Sequence, residues 1–315
     1  MKKIMLLPLA LIGILLVIPL VFQALHPAKE IEVEGNHISE LKVVDQELVI
    51  TIFRYEKNEY QQLPLEEYLI GVVAAEMPAS FELEALKAQA IAARTYALKI
   101  LETETYLLDT VIHQVYQDTE QLKEKWQADF DKYYHRIRQA VQATTGLVMK
   151  YEGDLILPLF FAMSSGRTEN SEDYFITNLP FLRSVASEWD KSARNFEAQK
   201  SFGLYELQNI FDKDYLNSSN IKILSKTEGG NVHQVLIGDQ IYTGREVREI
   251  LNLRSSSFSF EFTDNMIHIT TYGHGHGVGM SQNGANELAK KGKDHFEILN
   301  HYYHNIKIIE KNSLN

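Results

Sequence analysis

The sequence predicts an α+β fold in which a transmembrane helix is followed by a mixed helix and sheet region with a cleft. Three observations support this prediction: an uncharged run over residues 4–25, an alanine-rich helical pattern over 64–102, and an alternating strand pattern over 221–270. A glycine-rich motif and a final helix follow over 272–305. We therefore expect one structured region over residues 41–315.

The uncharged run predicts a membrane anchor. Lys2 and Lys3 precede 22 residues without a charged side chain, enough at about 1.5 Å per residue to cross a hydrocarbon core of about 30 Å. A cleaved signal peptide would have a shorter apolar core and a small-residue cleavage site, and residues 22–27 offer no clear one. The lysines place residues 1–3 in the cytoplasm. A polar linker over 26–40 then leads to the bulk of the chain outside a single-pass cell membrane protein.

Composition excludes several classes of function. The chain has 315 residues, of which 45% are hydrophobic and 23% charged, as in globular proteins. It contains no Cys, so disulfides, thiolate metal sites and Cys nucleophiles are excluded. The net charge is −11, and there is no basic run, which argues against nucleic acid because phosphate recognition needs clustered Lys and Arg.

The outer region begins with strands and a helix that ends at a defined point. Residues 41–55 are rich in β-branched side chains and predict one or two strands. Pro64 suits the first turn of a helix, and Pro78 disfavours the helical conformation at Met77. Glu76 is therefore predicted in the last helical turn or just after it.

A second helix is predicted from an N-cap at Ser80 to about residue 102. Lys87 and Arg94 are seven residues apart and share a face that is distinct from the apolar stripe. Two interpretations of Arg94 remain open: an ion pair with a helix-end carboxylate, or a role in orienting that carboxylate or a sugar oxygen. The apolar stripe consists of Leu83, Leu86, Ala90, Ala93 and Ala97.

The remaining elements are predicted from periodicity and turn residues. A third helix is expected over residues 119–144, and two strands over 147–161. Residues 221–270 alternate as strands do and are interrupted by one short helix, GREVREILNL. The glycine-rich loop 273–279 should lead into a helix near Asn286.

Glu76 is the strongest candidate for acid–base chemistry. Its sequence neighbours from Val72 to Pro78 are apolar, and a poorly solvated carboxylate has a raised pKa. The negative potential at the carboxyl end of a helix raises the pKa further. A raised pKa suits a general acid near neutral pH. The alternative is a helix-end glutamate that simply reaches solvent.

The segment YGHGHGVGMSQNGA over residues 272–285 is the most unusual in the chain. Its glycines let the backbone approach a ligand closely or adopt left-handed conformations. A His-x-His pair without a third ligand at fixed spacing is a weak metal signal. We interpret the segment as the wall of a binding cleft, with His276, Ser281 and Gln282 as substrate contacts.

Two long segments resemble the stage II sporulation protein D family: VVAAEMPASFELEALKAQAIAARTYAL (72–98) and GHGVGMSQNGANELAKKGKDHFEILNHYYHN (275–305). Two shorter segments, FAMSSGRTENSEDYF (161–175) and LPFLRSVAS (179–187), lie where that family has its middle motifs. The resemblance covers nearly the whole outer region. It matches Glu76 to the glutamate of the family's E-M-P motif.

The resemblance implies a lytic transglycosylase with Glu76 as the catalytic residue and no cofactor. Such an enzyme cleaves the MurNAc–GlcNAc linkage of peptidoglycan without water, because the C6 hydroxyl of MurNAc attacks its own anomeric carbon and leaves a 1,6-anhydro end. One carboxyl group is then sufficient, whereas hydrolytic glycosidases usually need two. The resemblance also implies that Lys87 and Arg94, which matches the arginine of the A-R-T-Y motif, contact the substrate.

The same resemblance implies partners and a setting. The substrate would be glycan strands stripped of stem peptides during engulfment of the forespore. The implied partners are an amidase, stage II sporulation protein P, and a membrane protein, stage II sporulation protein M. Some relatives are described as amidase enhancers, so a non-catalytic glycan-binding enhancer, or a scaffold for wall enzymes, remains an alternative.

The sequence departs from the family pattern at two places. Some members hold zinc through His and Cys in segments that here read DTVIHQ and FAMSSG, with no Cys. We therefore predict no metal and assign His113 no ligand role. Arg183 occupies the position of a substrate-groove lysine, and Arg keeps the charge but not the geometry of Lys.

Overall fold

The computed structural model describes residues 42–44 and 47–310. The predicted tail (1–3), anchor (4–25) and linker (26–40) therefore lie outside the described residues. Within the described ranges, no helix is both long enough and apolar enough to cross a membrane. These ranges form a mixed helix and sheet structure, which confirms the α+β prediction for the outer region.

The strands are short, and most pair with neighbours in sequence. Strand β2 pairs antiparallel with β1 and β3, and β4 adds to β2 in parallel. The other described sheets have the orders β15-β5-β6, β11-β10-β9 and β12-β13-β8, and β14 pairs in parallel with β7. The strands are β1 (Lys42–Val44), β2 (Glu47–Arg54), β3 (Glu59–Pro64), β4 (Leu107–Leu108), β5 (Leu147–Tyr151), β6 (Asp154–Leu155), β7 (Phe160–Phe161), β8 (Glu197–Gly203), β9 (Ile221–Lys226), β10 (Val232–Ile237), β11 (Gln240–Thr243), β12 (Phe258–Thr263), β13 (Met266–Tyr272), β14 (Met280–Ser281) and β15 (Lys307–Glu310).

The helices supply most of the larger core. Helices α1 and α2 carry the first family segment, and α8 follows the glycine-rich loop. The helices are α1 (Leu65–Glu76), α2 (Leu83–Ile100), α3 (Thr119–Trp126), α4 (Phe130–Gln142), α5 (Ser171–Phe175), α6 (Leu204–Phe211), α7 (Gly244–Ile250), α8 (Gln282–Lys290) and α9 (His295–Tyr302), with 3₁₀ turns at Gln127–Asp129 and Glu188–Ser192.

The first helix has the predicted bounds. Pro64 is its N-cap, and Glu76 is its last residue because Met77 turns to an extended conformation, with φ −123° and ψ 144°. The strand pair over 41–55, the hairpin of β5 and β6, and the strand-rich segment over 221–270 with its short helix are also confirmed.

The predicted start of the second helix and the predicted continuity of the third helix are wrong. Ser80 is not an N-cap: α2 begins at Leu83 with Glu82 as N-cap, and the Glu82 N–H is satisfied by the distant Asn286 side chain at 2.8 Å. The predicted helix over 119–144 is interrupted by the 3₁₀ turn, where Gln127 has a positive φ of 46°.

Two hydrophobic cores lie within the described region. The larger one unites α1, α2, α4, β5, α8 and α9, and it buries Leu86, Ala90, Ala93 and Ala97 of the predicted stripe. Leu83 is only partly buried. The smaller core lies among α6, α7 and strands β9 to β13. The glycine-rich loop leaves the small-core strand β13 and enters α8 of the large core, so it joins the two.

Candidate active site

Glu76 lies at the carboxyl end of α1 and is largely buried. Burial raises the pKa of its carboxyl group above the usual range. Three groups oppose this effect by stabilising the charged form: the Gln282 side chain, the Val115 backbone amide and the positive charge of Lys125. The net shift is upward, which is the direction that the apolar sequence around Glu76 predicts.

Lys125 of α3 is anchored beside the carboxylate. Its ammonium group donates to the Ala74 carbonyl and to the Gln117 side-chain oxygen, both at 3.0 Å. Burial lowers the pKa of Lys125, while the negative charge of Glu76 raises it. The fixed ammonium therefore provides a positive charge close to the group that would exchange protons.

The loop that carries Val115 packs closely against α1. Gly71 permits this contact, since a Cβ there would lie 2.4 Å from the Tyr116 ring and 2.5 Å from the Gln117 carbonyl. Tyr116 also stacks on Tyr68, with ring centroids 5.5 Å apart. A small residue at position 71 thus allows the loop to reach the Glu76 end of the helix.

Buried amides form a second layer behind Glu76. Gln282 starts α8, and its side-chain amide lies 3.5 Å from the Gln89 oxygen of α2. Tyr68 donates to the Gln114 oxygen at 3.3 Å. The amide nitrogens of Gln89 and Gln114 are buried and have no hydrogen-bond partner among the described residues.

The structure does not bring Arg94 to Glu76. Arg94 is 1% exposed and makes a bidentate ion pair with Glu66, at 2.8 and 2.6 Å. It also donates to the Val141 and Leu147 carbonyls. Glu66 is in the first turn of α1, ten residues from Glu76, or about 15 Å along the helix. Of the two interpretations of Arg94, this is the ion pair with a helix-end carboxylate.

Lys87 and Arg183 also have carboxylate partners. Lys87 pairs with Glu84 at 2.6 Å. Burial works against the charged Glu84, but hydrogen bonds from Lys87 and His295 lower its pKa to about 2. Arg183 makes a bidentate pair with Glu172 and lowers the pKa of that group to about 2. Both cations are partly exposed and remain predicted substrate contacts rather than observed neighbours of Glu76.

Among the predicted residues of the glycine-rich segment, the structure places only Gln282 against Glu76. His276 accepts from the Val278 N–H at 3.1 Å and contacts the Phe160 carbonyl at 3.0 Å, so its Nδ1 is unprotonated and its Nε2 carries the hydrogen. Burial lowers the pKa of His276 to about 4. Ser281 is fully buried and caps α8 by accepting from the Gly284 N–H at 3.0 Å.

Asp190 organises the loops behind α8. It accepts hydrogen bonds from the Ser164 hydroxyl at 2.7 Å, the Ser187 hydroxyl at 2.8 Å and the Asn283 amide at 2.8 Å. Burial raises the pKa of its carboxyl group. This network links the segment 161–187 to the start of α8 and so helps to hold Gln282 in position.

Sequence reasoning missed several groups around Glu76. Gln89 is a polar residue between two alanines of α2, and this is visible in the sequence. Lys125 has no local signal, because it is one of several charged residues on a polar helix and reaches Glu76 through tertiary packing. A surface pocket lies elsewhere, on α4 between His135 and Ala143, and includes none of the predicted site residues.

Residues 42–44 and 47–310 contain no group of three or more His, Cys, Asp or Glu side chains placed to hold a metal ion. His113 accepts the Leu108 N–H through Nδ1 at 2.9 Å, and burial lowers its pKa.

Fold and site together define an α+β protein that presents a largely buried carboxylate at the carboxyl end of a helix. The family profile SpoIID, described as Stage II sporulation protein, matches residues 54–151. The chain is 38% identical over 273 residues to Stage II sporulation protein D of Bacillus amyloliquefaciens, covering 84% of this chain and 79% of the relative. It is 39% identical over 270 residues to the protein of the same name from Bacillus subtilis (strain 168), covering 83% and 79%. The chain belongs to the SpoIID family of sporulation proteins.

A more distant relative is the Amidase enhancer of Bacillus subtilis (strain 168). It is 27% identical over 290 residues, which cover 75% of this chain and 39% of the relative.

Proposed function

We propose that the protein is a peptidoglycan lytic transglycosylase that cleaves the MurNAc–GlcNAc bonds of peptide-stripped glycan strands. The observation that carries this proposal is Glu76, a largely buried carboxyl group whose pKa is raised by burial. A raised pKa favours the protonated form, which is the form that a general acid needs. Apart from burial, the groups that change the pKa of Glu76 are an amide side chain, a backbone amide and a lysine.

The reaction requires that one group serve as acid and then as base. Protonated Glu76 donates its proton to the glycosidic oxygen as the bond to the MurNAc anomeric carbon breaks. The C6 hydroxyl of the same MurNAc attacks that carbon, and the Glu76 carboxylate takes the hydroxyl proton. The products are a free GlcNAc hydroxyl and a 1,6-anhydro ring, and Glu76 is protonated again. Lys125 would stabilise the carboxylate between the two transfers.

The Glu76→Gln substitution tests this proposal, because it keeps the shape of the side chain and removes the acid. The purified full chain should release 1,6-anhydro ends from stripped glycan strands, and Glu76→Gln should reduce the rate at least about 100-fold, the lower range for general acid–base catalysis. Glu67→Gln is a matched control, since Glu67 is exposed in the first turn of the same helix. Absence of anhydro ends with the native protein would overturn the proposal.

The alternative is a non-catalytic glycan-binding enhancer or scaffold for a partner amidase. The name of the 27% identical relative, Amidase enhancer, favours it. Under this alternative, a purified amidase would release stem peptides faster when the protein is added, and Glu76→Gln would enhance it equally well. Whether the protein is an enzyme or an enhancer, we propose stage II sporulation proteins P and M as its partners.

We also propose that the protein is a single-pass membrane protein anchored by residues 4–25, with the bulk of the chain outside the cytoplasm. The support is the uncharged run that follows two lysines. A phosphatase reporter fused after Asn315 should be active, whereas a reporter that folds only in the cytoplasm should not. Mature protein beginning near residue 28 would instead identify a cleaved signal peptide.

A further inference from the structure

Cationic side chains converge beside the glycine-rich loop. Arg248 lies on α7, and Arg254 follows it at the edge of the small core. The Arg254 carbonyl accepts the Gly275 N–H at 2.9 Å, which places His274 next to it. His274 is exposed, and both arginines are partly exposed. Besides burial, the charges of Arg254 and Arg248 lower the pKa of His274, as expected for groups that share one patch.

Within the described part of the chain, neither Arg248 nor Arg254 has a carboxylate at ion-pair distance. Arg248 donates to the Tyr174 hydroxyl at 2.6 Å, and Arg254 donates to the Asn195 carbonyl at 2.9 Å. Their neighbour Arg245 does have a carboxylate partner, Glu249, at 2.8 Å. Two guanidinium groups are therefore uncompensated at one place on a chain that has 42 acidic and 31 basic residues.

Aromatic rings order the Arg248 side of this patch. The Arg245 guanidinium lies 5.0 Å from the centroid of the Tyr174 ring, and the Arg248 guanidinium lies 6.0 Å from it. His276 packs against the Tyr174 and Phe175 rings, at 5.8 and 5.3 Å. Arginines ordered in this way lose little conformational freedom when they bind a ligand.

We propose that Arg248 and Arg254, beside Tyr174 and the 273–279 loop, form a subsite for a carboxylate carried on a sugar chain. An arginine fork matches a carboxylate through two parallel hydrogen bonds, and the Tyr174 hydroxyl already orients the Arg248 guanidinium. The inference rests on the proposed function, which supplies the ligand. Removing the stem peptide from a muramic acid converts a lactyl amide into a free lactyl carboxylate, so a stripped strand carries one such charge per disaccharide.

The subsite is connected to the candidate active site by the chain itself. His274 and Gln282 are eight residues apart, so the patch and Glu76's partner lie within about 28 Å of each other, the full reach of eight residues. An oligosaccharide spans such a distance. The patch would then hold the strand by its charges while Glu76 acts on the bond that is cleaved.

The test measures binding rather than cleavage, in the full chain carrying Glu76→Gln. Two ligands are compared by fluorescence anisotropy: stripped strands, and the same strands with lactyl carboxylates chemically reduced to alcohols. The parent should prefer the stripped strands. Arg248→Gln together with Arg254→Gln should weaken their binding by about ten-fold or more, as expected for charge-assisted hydrogen bonds, and leave the reduced strands unaffected.

A matched control removes the same two charges elsewhere. Lys132→Gln with Arg138→Gln changes exposed residues of α4 and should not alter the preference. Arg254→Gln alone serves as a second variant that leaves the Arg248–Tyr174 bond intact, and it too should weaken binding of stripped strands. Equal affinity of the parent for both ligands, or an equal loss in the control pair, would overturn the subsite.

Failure of the subsite and failure of the proposed function are distinguishable. Cleavage is scored separately, as anhydro ends released by the protein with Glu76 intact. Anhydro ends without a carboxylate preference would overturn the subsite alone. A carboxylate preference without anhydro ends would support the subsite and leave the enhancer alternative for the function.

Discussion

Glu76 is subject to opposing influences on its proton affinity. Burial raises its pKa, whereas Gln282, the Val115 amide and Lys125 each favour the charged form and lower it. A group that donates a proton and then takes one back needs both charge states, and these influences act on the two states in opposite directions. At the residue scale, Lys125 offers the clearest way to shift this balance without changing the carboxyl group.

Lys125→Met should move the basic limb of the pH–rate profile to higher pH. Removing the ammonium removes an influence that lowers the Glu76 pKa, so the acid stays protonated to a higher pH. The measurement is the rate of anhydro-end release across pH, with Lys123→Met as control. Lys123 lies on the same helix but pairs with Glu120 in solvent. An unchanged limb, or one shifted to lower pH, would contradict the role assigned to Lys125.

At the scale of the elements, the buried Arg94 side chain pairs with the partly exposed Glu66 and joins α2 to α1. Arg94→Met would remove the pair with Glu66 and the donors for two carbonyl groups. We expect a loss of about 3 kcal/mol in unfolding free energy, because the change leaves two carbonyl groups without their donor and Glu66 without its partner. Urea denaturation measures it. Lys99→Met, which breaks an exposed pair on the same helix, should cost less than about 1 kcal/mol.

Kinetics of the folded Arg94→Met protein separate a structural role from substrate contact. If Arg94 only joins the helices, KM for stripped strands should stay unchanged at a temperature where the variant remains folded. A large rise in KM with little loss of stability would restore the prediction from the family motif that Arg94 binds substrate.

The same elements show what the sequence could predict. Pro64 and Pro78 bound α1 through local sterics, so the position of Glu76 was predictable. The start of α2 was not, since the Glu82 N–H is satisfied by Asn286, 204 residues later. The break at Gln127 has no Gly or Pro to mark it. Arg94 and Lys125 were equally ambiguous, because a charged side chain on a helix acquires its partner only through tertiary packing.

At the scale of the whole molecule, Glu169 connects the large-core segment 161–187 to the small-core strands. It accepts from the Asn231 N–H at 3.2 Å, and its own N–H donates to the Gly277 carbonyl at 2.8 Å. Gly229 is required beside it, since a Cβ there would lie 2.2 Å from the carboxyl oxygen. Glu169 is 1% exposed, and one of its oxygens has no hydrogen-bond partner among the described residues.

This junction should make stability depend on pH. Burial raises the pKa of Glu169 to about 7, and the nearby charges of Asp173 and Glu228 act in the same direction. Between the unfolded value of 4.5 and about 7, the folded protein binds more protons than the unfolded chain, so the stability that Glu169 contributes is lost as pH rises through this range.

Glu169→Gln keeps an oxygen for the Asn231 N–H and removes the titration. Relative to the parent, it should therefore gain stability between pH 5 and pH 8, by roughly 3 kcal/mol at most. Urea unfolding at both pH values measures this gain, and Glu228→Gln, at an exposed neighbour, should show much less of it. A gain that is the same at pH 5 and pH 8 would mean that the Glu169 carboxyl group is ionised in the folded protein throughout.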